Sequence, residues 1–210
     1  HRGMSMTVDE LAGEIVRRAQ GSARYLVGIA GPPGGGKSTL ADALFDRLKQ
    51  AGEAPAVLPM DGFHLDNRLL IERGLLPRKG APETFDVRGL RDILQAVRAG
   101  GEVLVPVFDR DRELAICAAR CIAAQDRIIL VEGNYVLLDR DPWRDIASLF
   151  DLKVMVAPNE DELERRLTAR WVHYRLSPDE IHAKLHDNDL PNGRLVLSAS
   201  HPADIRLDFE

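Results

Sequence analysis

The apolar positions of this chain form two kinds of pattern that follow one another along the sequence. Short continuous apolar runs predict buried strands at residues 25–30, 54–60, 127–131 and 152–156. Apolar residues that recur every three or four positions predict helices at residues 8–18, 38–48, 87–99, 160–170 and 178–186. Because strands and helices alternate, the pattern predicts an α/β fold of three layers, with a central, mainly parallel sheet and helices on both faces.

Three stretches depart from this alternation. Residues 103–108 and 114–122 predict short strands or a hairpin around the charged turn at 109–112, and residues 205–209 predict a last strand. Residues 62–86 show no steady period and are interrupted by glycines and prolines, so we expect them to be structureless. A loop of that length in a compact domain indicates a function.

A glycine-rich loop follows the first predicted strand and precedes a predicted helix. Its sequence fits the pattern G-x-x-x-x-G-K-[ST] of phosphate-binding loops. Backbone N–H groups of such a loop converge on phosphate oxygens, and the dipole of the following helix favours negative charge there. Lys37 would supply a cation to the β- and γ-phosphates, and Ser38 a hydroxyl ligand for Mg²⁺. The residues predicted to bind the nucleotide are Gly31, Pro32, Pro33, Gly34, Gly35, Gly36, Lys37, Ser38 and Thr39.

Two acidic residues directly follow predicted strands. Asp61 comes after the run that ends at Met60, and Glu132 comes after the run that ends at Val131. In open α/β sheets, ligands bind beyond the carboxyl ends of the strands, so both side chains are expected beside the glycine loop. One carboxylate would help to hold Mg²⁺ and the other would orient the attacking nucleophile. Taken alone, either residue could equally cap a turn or a helix.

An arginine cluster marks the predicted helix at 160–170. Arg166 and Arg170 are four residues apart and share a helical face, and Arg175 follows the helix. A mobile helical lid at about residues 163–177 would close these arginines on a transferring phosphoryl group and neutralise its charge. The alternative is a solvated helix face whose arginines pair with acidic residues of the same helix.

Composition and charge narrow the class of protein. The chain has 210 residues, of which 45% are hydrophobic and 29% charged, which suits one globular domain, expected at residues 7–210. Residues 1–6 are interpreted as a cloning remnant or a disordered N-terminus. The net charge of −5 predicts no nucleic-acid partner. No apolar run is long enough to span a membrane or resembles a signal peptide, so we expect a cytoplasmic protein, with a homodimer as an option. Cys117 and Cys121 are expected to be buried free thiols rather than half of a metal site.

Four further segments follow the glycine loop in an order that resembles a known kinase group. They include D-G-F-H at 61–64, the segment 77–86, E-G-N-Y at 132–135 and N-D-L-P-N at 188–192. This order is similar to the phosphoribulokinase, uridine kinase and bacterial pantothenate kinase group of P-loop kinases. Within that group it is most similar to kinase-like proteins, some of them labelled as fructose transport system kinases. The similarity covers residues 25–207 and implies a P-loop kinase fold with a helical lid, with ATP and Mg²⁺ as cofactors.

The resemblance also implies roles for individual residues. Asp61 matches the acidic residue that faces the acceptor hydroxyl. The residues implied in catalysis are Asp61, Lys37, Arg166 and Arg170. The residues implied in holding Mg²⁺ are Ser38 and Glu132. The residues implied in binding the acceptor are His64, Lys79, Phe85, Tyr135, Arg175 and Asn192.

The implied reaction is transfer of the γ-phosphoryl group of ATP to a hydroxyl of a small metabolite. The acceptor class stays open between a sugar, a nucleoside and a pantothenate-like alcohol. A nucleoside monophosphate kinase is the main alternative, because Arg68, Arg73 and Arg78 could bind an acceptor phosphate. A P-loop switch or regulator is a weaker alternative, since the chain has no N-K-x-D motif and its D-x-x-G at 86–89 opens a predicted helix. An ATP-driven transport subunit would need an L-S-G-G-Q-type segment, which the sequence lacks.

Overall fold

A computed structural model describes residues 6–208 of the chain, so most of the segment 1–6 lies outside the described residues. The helices, in chain order, are α1 (Val8–Arg18), α2 (Lys37–Gln50), α3 (Asn67–Glu72), α4 (Val87–Ala99), α5 (Glu160–His173), α6 (Pro178–Lys184) and α7 (Leu190–Ala199). The strands are β1 (Tyr25–Ala30), β2 (Pro55–Pro59), β3 (Val103–Asp109), β4 (Leu114–Ile122), β5 (Ile128–Glu132), β6 (Leu152–Val156) and β7 (Ile205–Leu207). None of the helices within residues 6–208 is long and apolar enough to cross a membrane.

Five of the strands form one parallel sheet in the order β2-β5-β1-β6-β7. Every residue of β1 and β5 is buried, as the continuous apolar runs predict for strands that are covered on both faces. The α/β prediction is therefore confirmed. Because all five strands run in the same direction, their carboxyl ends meet at one edge, which is where the glycine loop begins.

The two faces of the sheet contribute to separate hydrophobic clusters. In β1, Leu26 and Ala30 belong to a cluster that includes residues of α4 and α7. Val27 and Ile29 belong to a second cluster that includes residues of α1 and α2. Side chains of a strand point alternately to opposite faces, so this division gives the three layers of the fold. Thr7 caps α1 as expected, since its Oγ1 accepts a hydrogen bond from the backbone N–H of Glu10 at 3.1 Å.

The hairpin of β3 and β4 forms a separate antiparallel ribbon. The prediction of buried thiols is wrong, because both Cys117 and Cys121 are free and exposed. The expectation came from the lack of further cysteines that could complete a metal site with them. However, residues 116–121 of β4 are all exposed, because the strand lies in a two-stranded ribbon rather than inside the central sheet.

Residues 62–86 are ordered, which corrects the expectation of a structureless loop. They contain α3 and short 3₁₀ turns, each too brief to show a period in the sequence. Two buried aromatic residues from a later part of the chain, Tyr135 and Trp143, hold this segment in place. The Tyr135 hydroxyl donates to the carbonyl oxygen of Gly80 at 2.6 Å, and the Trp143 indole N–H donates to that of Pro82 at 3.1 Å.

The helix predicted at 178–186 continues further, through a π-helical segment Leu185–Asp189 into α7. Pro191 explains the wide turn. In a regular α-helix its ring would clash with the carbonyl oxygen of residue 187, and it has no N–H to donate. A regular α-helix is therefore disfavoured there. The π segment carries Asn188 and Asp189, and both line a cavity that is also lined by Asp61.

Candidate active site

The glycine loop opens a cavity of about 1030 Å³, which we call the P-loop cavity. Gly36 immediately precedes α2 with a φ of 92°, a left-handed conformation that glycine adopts without strain. The cavity is lined by Gly34, Gly36, Lys37, Ser38, Thr39, Asn159, Glu162, Arg165, Arg166 and Arg170, among others. Gly31, Pro32 and Gly35 are buried and shape the loop from behind.

Lys37 and Glu132 are the charged groups beneath this loop. Burial lowers the pKa of Lys37 and raises the pKa of Glu132, while the attraction between their charges acts against both shifts. Glu132 is 7% exposed, and its Oε1 accepts a hydrogen bond from the Ser38 hydroxyl at 3.2 Å. The prediction that Glu132 emerges beside the glycine loop is therefore confirmed.

The oxygens of Ser38 and Glu132 have the chemistry that Mg²⁺ prefers. Mg²⁺ in nucleotide sites is usually bound through one or two protein oxygens, together with waters and substrate phosphates. Within residues 6–208, no cluster of three or more His, Cys, Asp or Glu residues could hold a metal ion by itself. The pair therefore fits a cation that arrives with phosphate groups rather than a closed structural site.

A second cavity, of about 630 Å³, lies beyond the end of β2, and we call it the Asp61 cavity. Asp61 stands in the 3₁₀ turn Met60–Phe63, directly after that strand. Its Oδ2 forms an ion pair with Nη2 of Arg110 at 2.8 Å, and Arg110 comes from the turn of the β3–β4 hairpin. Asp61 therefore faces a cavity next to the glycine loop, as its position after a strand predicts.

His64 lies on the wall of the Asp61 cavity between two aromatic rings. Its ring centroid is 4.3 Å from that of Phe85 and 4.4 Å from that of Phe108. Its Nδ1 is 2.6 Å from the carbonyl oxygen of Asp61. Burial lowers the pKa of His64, so the ring is neutral near pH 7. A neutral ring that donates from Nδ1 leaves Nε2 as a hydrogen-bond acceptor.

Lys79 forms another wall of the same cavity. Its Nζ donates to Oδ1 of Asn67 at 2.8 Å and lies 3.1 Å from Oε2 of Glu113. Asn188 donates from Nδ2 to the carbonyl oxygen of Lys79 at 3.1 Å and accepts a hydrogen bond from Nδ2 of Asn192 at 2.9 Å. The segments 79–80 and 188–192, more than a hundred residues apart, are thus joined at the cavity wall.

The arginines of α5 take different positions around the two cavities. Nε of Arg166 pairs with Glu162 at 2.8 Å and its Nη1 is 3.4 Å from the carbonyl oxygen of Gly34, so this residue faces the P-loop cavity. Arg170 lines both cavities, as does Ser38. The two cavities therefore meet at Ser38 and Arg170.

Two of the residues predicted to bind an acceptor lie elsewhere. Tyr135 is fully buried in the core, where its hydroxyl donates a hydrogen bond to the carbonyl oxygen of Gly80. Arg175 is exposed at the end of α5 with a φ of 63° and lines neither cavity. Both are corrections, because segment order in the sequence does not show which way a side chain points.

The arginines that favoured a nucleoside monophosphate acceptor also point elsewhere. Arg68, Arg73 and Arg78 are exposed and line neither cavity. Arg78 instead pairs with Glu83 at 2.8 Å.

Sequence reasoning did not single out several residues that line the Asp61 cavity. These are Arg110, Glu113, Trp171, Tyr174 and Lys184, whereas Asn188 and Asp189 belong to the segment 188–192 that the resemblance had already marked. The charged turn at 109–112 was visible in the sequence as a hairpin turn, but its distance of 49 positions from Asp61 hid the contact.

Comparisons with known proteins bear on the family and the fold of this chain. A family model described as "Phosphoribulokinase / Uridine kinase family" matches residues 26–175. The chain is 36% identical over 188 residues to the uncharacterized protein YggC of Escherichia coli (strain K12), covering 89% of this chain and 78% of that protein. A structure from Silicibacter sp. TM1040, described as a candidate fructose transport system kinase, has a TM-score of 0.91 and 42% sequence identity, covering 96% of this chain and 99% of that chain.

One relative, a pantothenate kinase, is longer than this chain. A pantothenate kinase of Streptomyces coelicolor is 34% identical over 156 residues, which cover 70% of this chain and 47% of that protein. The chain thus spans about half the length of that kinase.

Proposed function

Since the chain belongs to the phosphoribulokinase / uridine kinase family, we propose that its two cavities bind ATP and a small alcohol and bring them together at Arg170. Kinases of this family transfer a phosphoryl group from ATP to small metabolites, and the chain is a phosphotransferase of that type. The observation that carries the proposal is that Ser38 and Arg170 line both cavities. A γ-phosphoryl group at that junction would lie between its donor and its acceptor.

The proposed roles follow from the contacts of each residue. The glycine loop and Lys37 bind the β- and γ-phosphates, and Arg170 stabilises the charge on the transferring group. Asp61 accepts a hydrogen bond from the acceptor hydroxyl and orients its oxygen. As the bond from that oxygen to the γ-phosphorus forms, the bond to the bridging oxygen of ADP breaks, and the hydroxyl proton passes to the Asp61 carboxylate. The products are ADP and a phosphate ester.

Ser38 and Glu132 would hold Mg²⁺ in this site. The ion supplies neutralisation of phosphate charge when it is bound. Before that, Glu132 keeps the Ser38 hydroxyl oriented toward the cavity through the hydrogen bond of 3.2 Å. Because Glu132 is buried, this orientation does not depend on solvent.

The observations favour an alcohol acceptor over a nucleoside monophosphate. None of Arg68, Arg73 and Arg78 lines the Asp61 cavity. The position of Asp61 at that cavity suits a hydroxyl, which has a proton to lose, rather than a phosphate oxygen.

Substitution of Asp61 by Asn tests the proposal. We would measure ADP release and phosphate-ester formation over a panel of sugars, nucleosides and hydroxy acids, and Mg-ATP affinity by calorimetry. Asp61→Asn should lower turnover by about 10²- to 10⁴-fold, the usual contribution of a general base, and leave Mg-ATP affinity within about threefold. Asp111→Asn is a matched control, because Asp111 lies on the exposed hairpin turn and lines neither cavity. Near-normal turnover of Asp61→Asn would contradict the role of Asp61, and ADP release that needs no acceptor would contradict the proposed reaction.

A further inference from the structure

The side chain proposed to receive the acceptor hydroxyl already has a partner. Oδ2 of Asp61 and Nη2 of Arg110 form an ion pair at 2.8 Å, with side-chain exposures of 36% and 52%. An ion pair with that exposure is weak and exchanges readily. A hydroxyl that hydrogen-bonds to Oδ2 must therefore compete with the guanidinium of Arg110.

The fold keeps Arg110 at this position. The turn at Asp61 and the hairpin are in close contact, since a Cβ on Gly62 would lie 2.5 Å from the carbonyl oxygen of Pro106. The Arg110 guanidinium also packs over the ring of Phe108, 5.2 Å from its centroid. Arg110 also lines the Asp61 cavity, so its charge faces a molecule that binds there.

Charge within the cavity is already unbalanced in favour of cations. Four basic side chains line it: Lys79, Arg110, Arg170 and Lys184. Three carboxyl groups oppose them: Asp61, Glu113 and Asp189. Arg170 and Lys184 form no ion pair within residues 6–208, and Glu113 is already used by Lys79. Asp189 accepts a hydrogen bond from the Trp171 indole N–H at 2.8 Å, so each of the three carboxyl groups that line the cavity already has a partner.

We propose that the acceptor alcohol carries an anionic group, a carboxylate or a phosphate, and that Arg110 binds this group and so releases Asp61 for the hydroxyl. This inference rests on the proposed kinase reaction and adds the substrate class. A neutral alcohol that takes Oδ2 would break the ion pair and offer Arg110 no charged group in return. An anionic alcohol replaces one charge-assisted contact with another, in the bidentate geometry that a guanidinium offers to both groups. Arg110 is then the residue that selects the acceptor.

Matched sets of alcohols test this inference directly. One set is glycerol, glycerate and glycerol 3-phosphate; a second is ribose, ribonate and ribose 5-phosphate; a third is panthenol and pantothenate. In each set the neutral and anionic members share an alcohol backbone, so a difference in kcat/KM reports on the charged group. Formation of the phosphate ester is followed by ³¹P NMR and ADP release by a coupled assay. The carboxylate and phosphate members separate the two anion classes.

Variants of two neighbouring arginines assign the effect. We expect an anionic alcohol to exceed its neutral counterpart by about 100-fold in kcat/KM, the scale of one hydrogen-bonded charged pair. Arg110→Met should abolish most of that ratio by lowering kcat/KM for the anionic member alone. Arg112→Met is the matched control, because Arg112 is exposed on the same turn, pairs with Asp109 at 3.5 Å and lines neither cavity. It should keep the ratio.

Each outcome decides between the two proposals. A neutral alcohol that is phosphorylated as well as its anionic counterpart overturns the inference and leaves the kinase reaction standing. An anionic preference that survives in Arg110→Met overturns the role of Arg110, as does an equal loss for both members, which a merely structural role would cause. If no alcohol of any set yields a phosphate ester while Mg-ATP still binds, the proposed function fails and the inference fails with it.

Discussion

Arg24 is the residue whose loss should damage the fold most, and it lies far from both cavities. Arg24 is 9% exposed, and its guanidinium donates to four backbone carbonyl oxygens. The distances are 2.6 Å to Asp126, 2.7 Å to Val97, and 2.8 Å to both Gly101 and Ala123. These carbonyls belong to the end of α4, to the turn before β3 and to the turn before β5. One side chain directly before β1 thus holds together three segments that lie at the ends of helices and strands.

The expected cost of Arg24→Ala can be worked from these contacts. A hydrogen bond to a charged group contributes about 1.5–3 kcal/mol, and the contributions of one network do not add in full. Three of the four carbonyls are only partly buried, so water can replace part of what is lost. We therefore expect a loss of about 3–5 kcal/mol of unfolding free energy, in the range for a broken buried charge network. For a chain of this size that corresponds to a fall in Tm of about 6–20 °C.

Urea unfolding followed by circular dichroism, together with calorimetric Tm, measures this loss. Arg24→Lys keeps the charge but cannot reach four carbonyls from one ammonium group, so it should fall between wild type and Arg24→Ala. Arg88→Ala on the exposed face of α4 is the control, since within residues 6–208 Arg88 pairs only with Asp92 in the next turn. The stability of this variant should stay within error of wild type. An Arg24→Ala variant within 1 kcal/mol of wild type would refute the reasoning.

Three further predictions concern the site and the surface. Arg170→Ala should lower kcat by about 10²- to 10³-fold with a smaller change in the KM for ATP, because Arg170 lines both cavities. Arg165 lines only the P-loop cavity of the two, so Arg165→Ala should stay within about threefold of wild type. Equal effects of the two substitutions in steady-state assays would contradict this prediction. Burial raises the pKa of Glu132 above its usual 4.5, so the folded protein takes up this proton more readily than the unfolded chain, and stability falls as pH rises above 4.5. Glu132→Gln cannot titrate, so it should lose less unfolding free energy than wild type between pH 4.5 and pH 7 in urea unfolding. Both thiols should react with a disulfide reagent in the native protein, because both are exposed. Cys121 should react more slowly than Cys117, because desolvation raises the pKa of Cys121. Fewer than two reactive thiols per chain would contradict their exposure.

Much of the sheet and of the nucleotide end of the site could be predicted from the sequence. Apolar runs located β1 and β6 to the residue, and the period of three to four located α4 to the residue. These patterns work because each one depends on neighbours only a few positions apart in the chain. The glycine loop belongs to the same class of signal, since its glycines, its lysine and the helix that follows are contiguous.

The short helices at 62–86, the π segment and the exposed thiols could not be predicted in this way. A helix of six residues such as α3 is too short for a period to emerge. The small apolar residues of β4 resemble a core strand, and only the absence of a covering layer within the described residues leaves Cys117 and Cys121 in solvent. The extension of the C-terminal helix was hidden by Pro191. A proline ends most helices, but here a wider turn accommodates it.

By itself the sequence determined the class of fold, the loop that holds phosphates and the carboxylates that follow two strands. Only the tertiary structure decided which side chains meet: Arg110 with Asp61, Arg170 at the junction of both cavities, and Tyr135 in the core instead of at the substrate. The physical reason is range. Local patterns reflect hydrogen bonds and burial within one helix or strand, whereas the Asp61 cavity is assembled from a hairpin, helix α5 and the segment 62–86, with contacts between residues about fifty to more than a hundred positions apart.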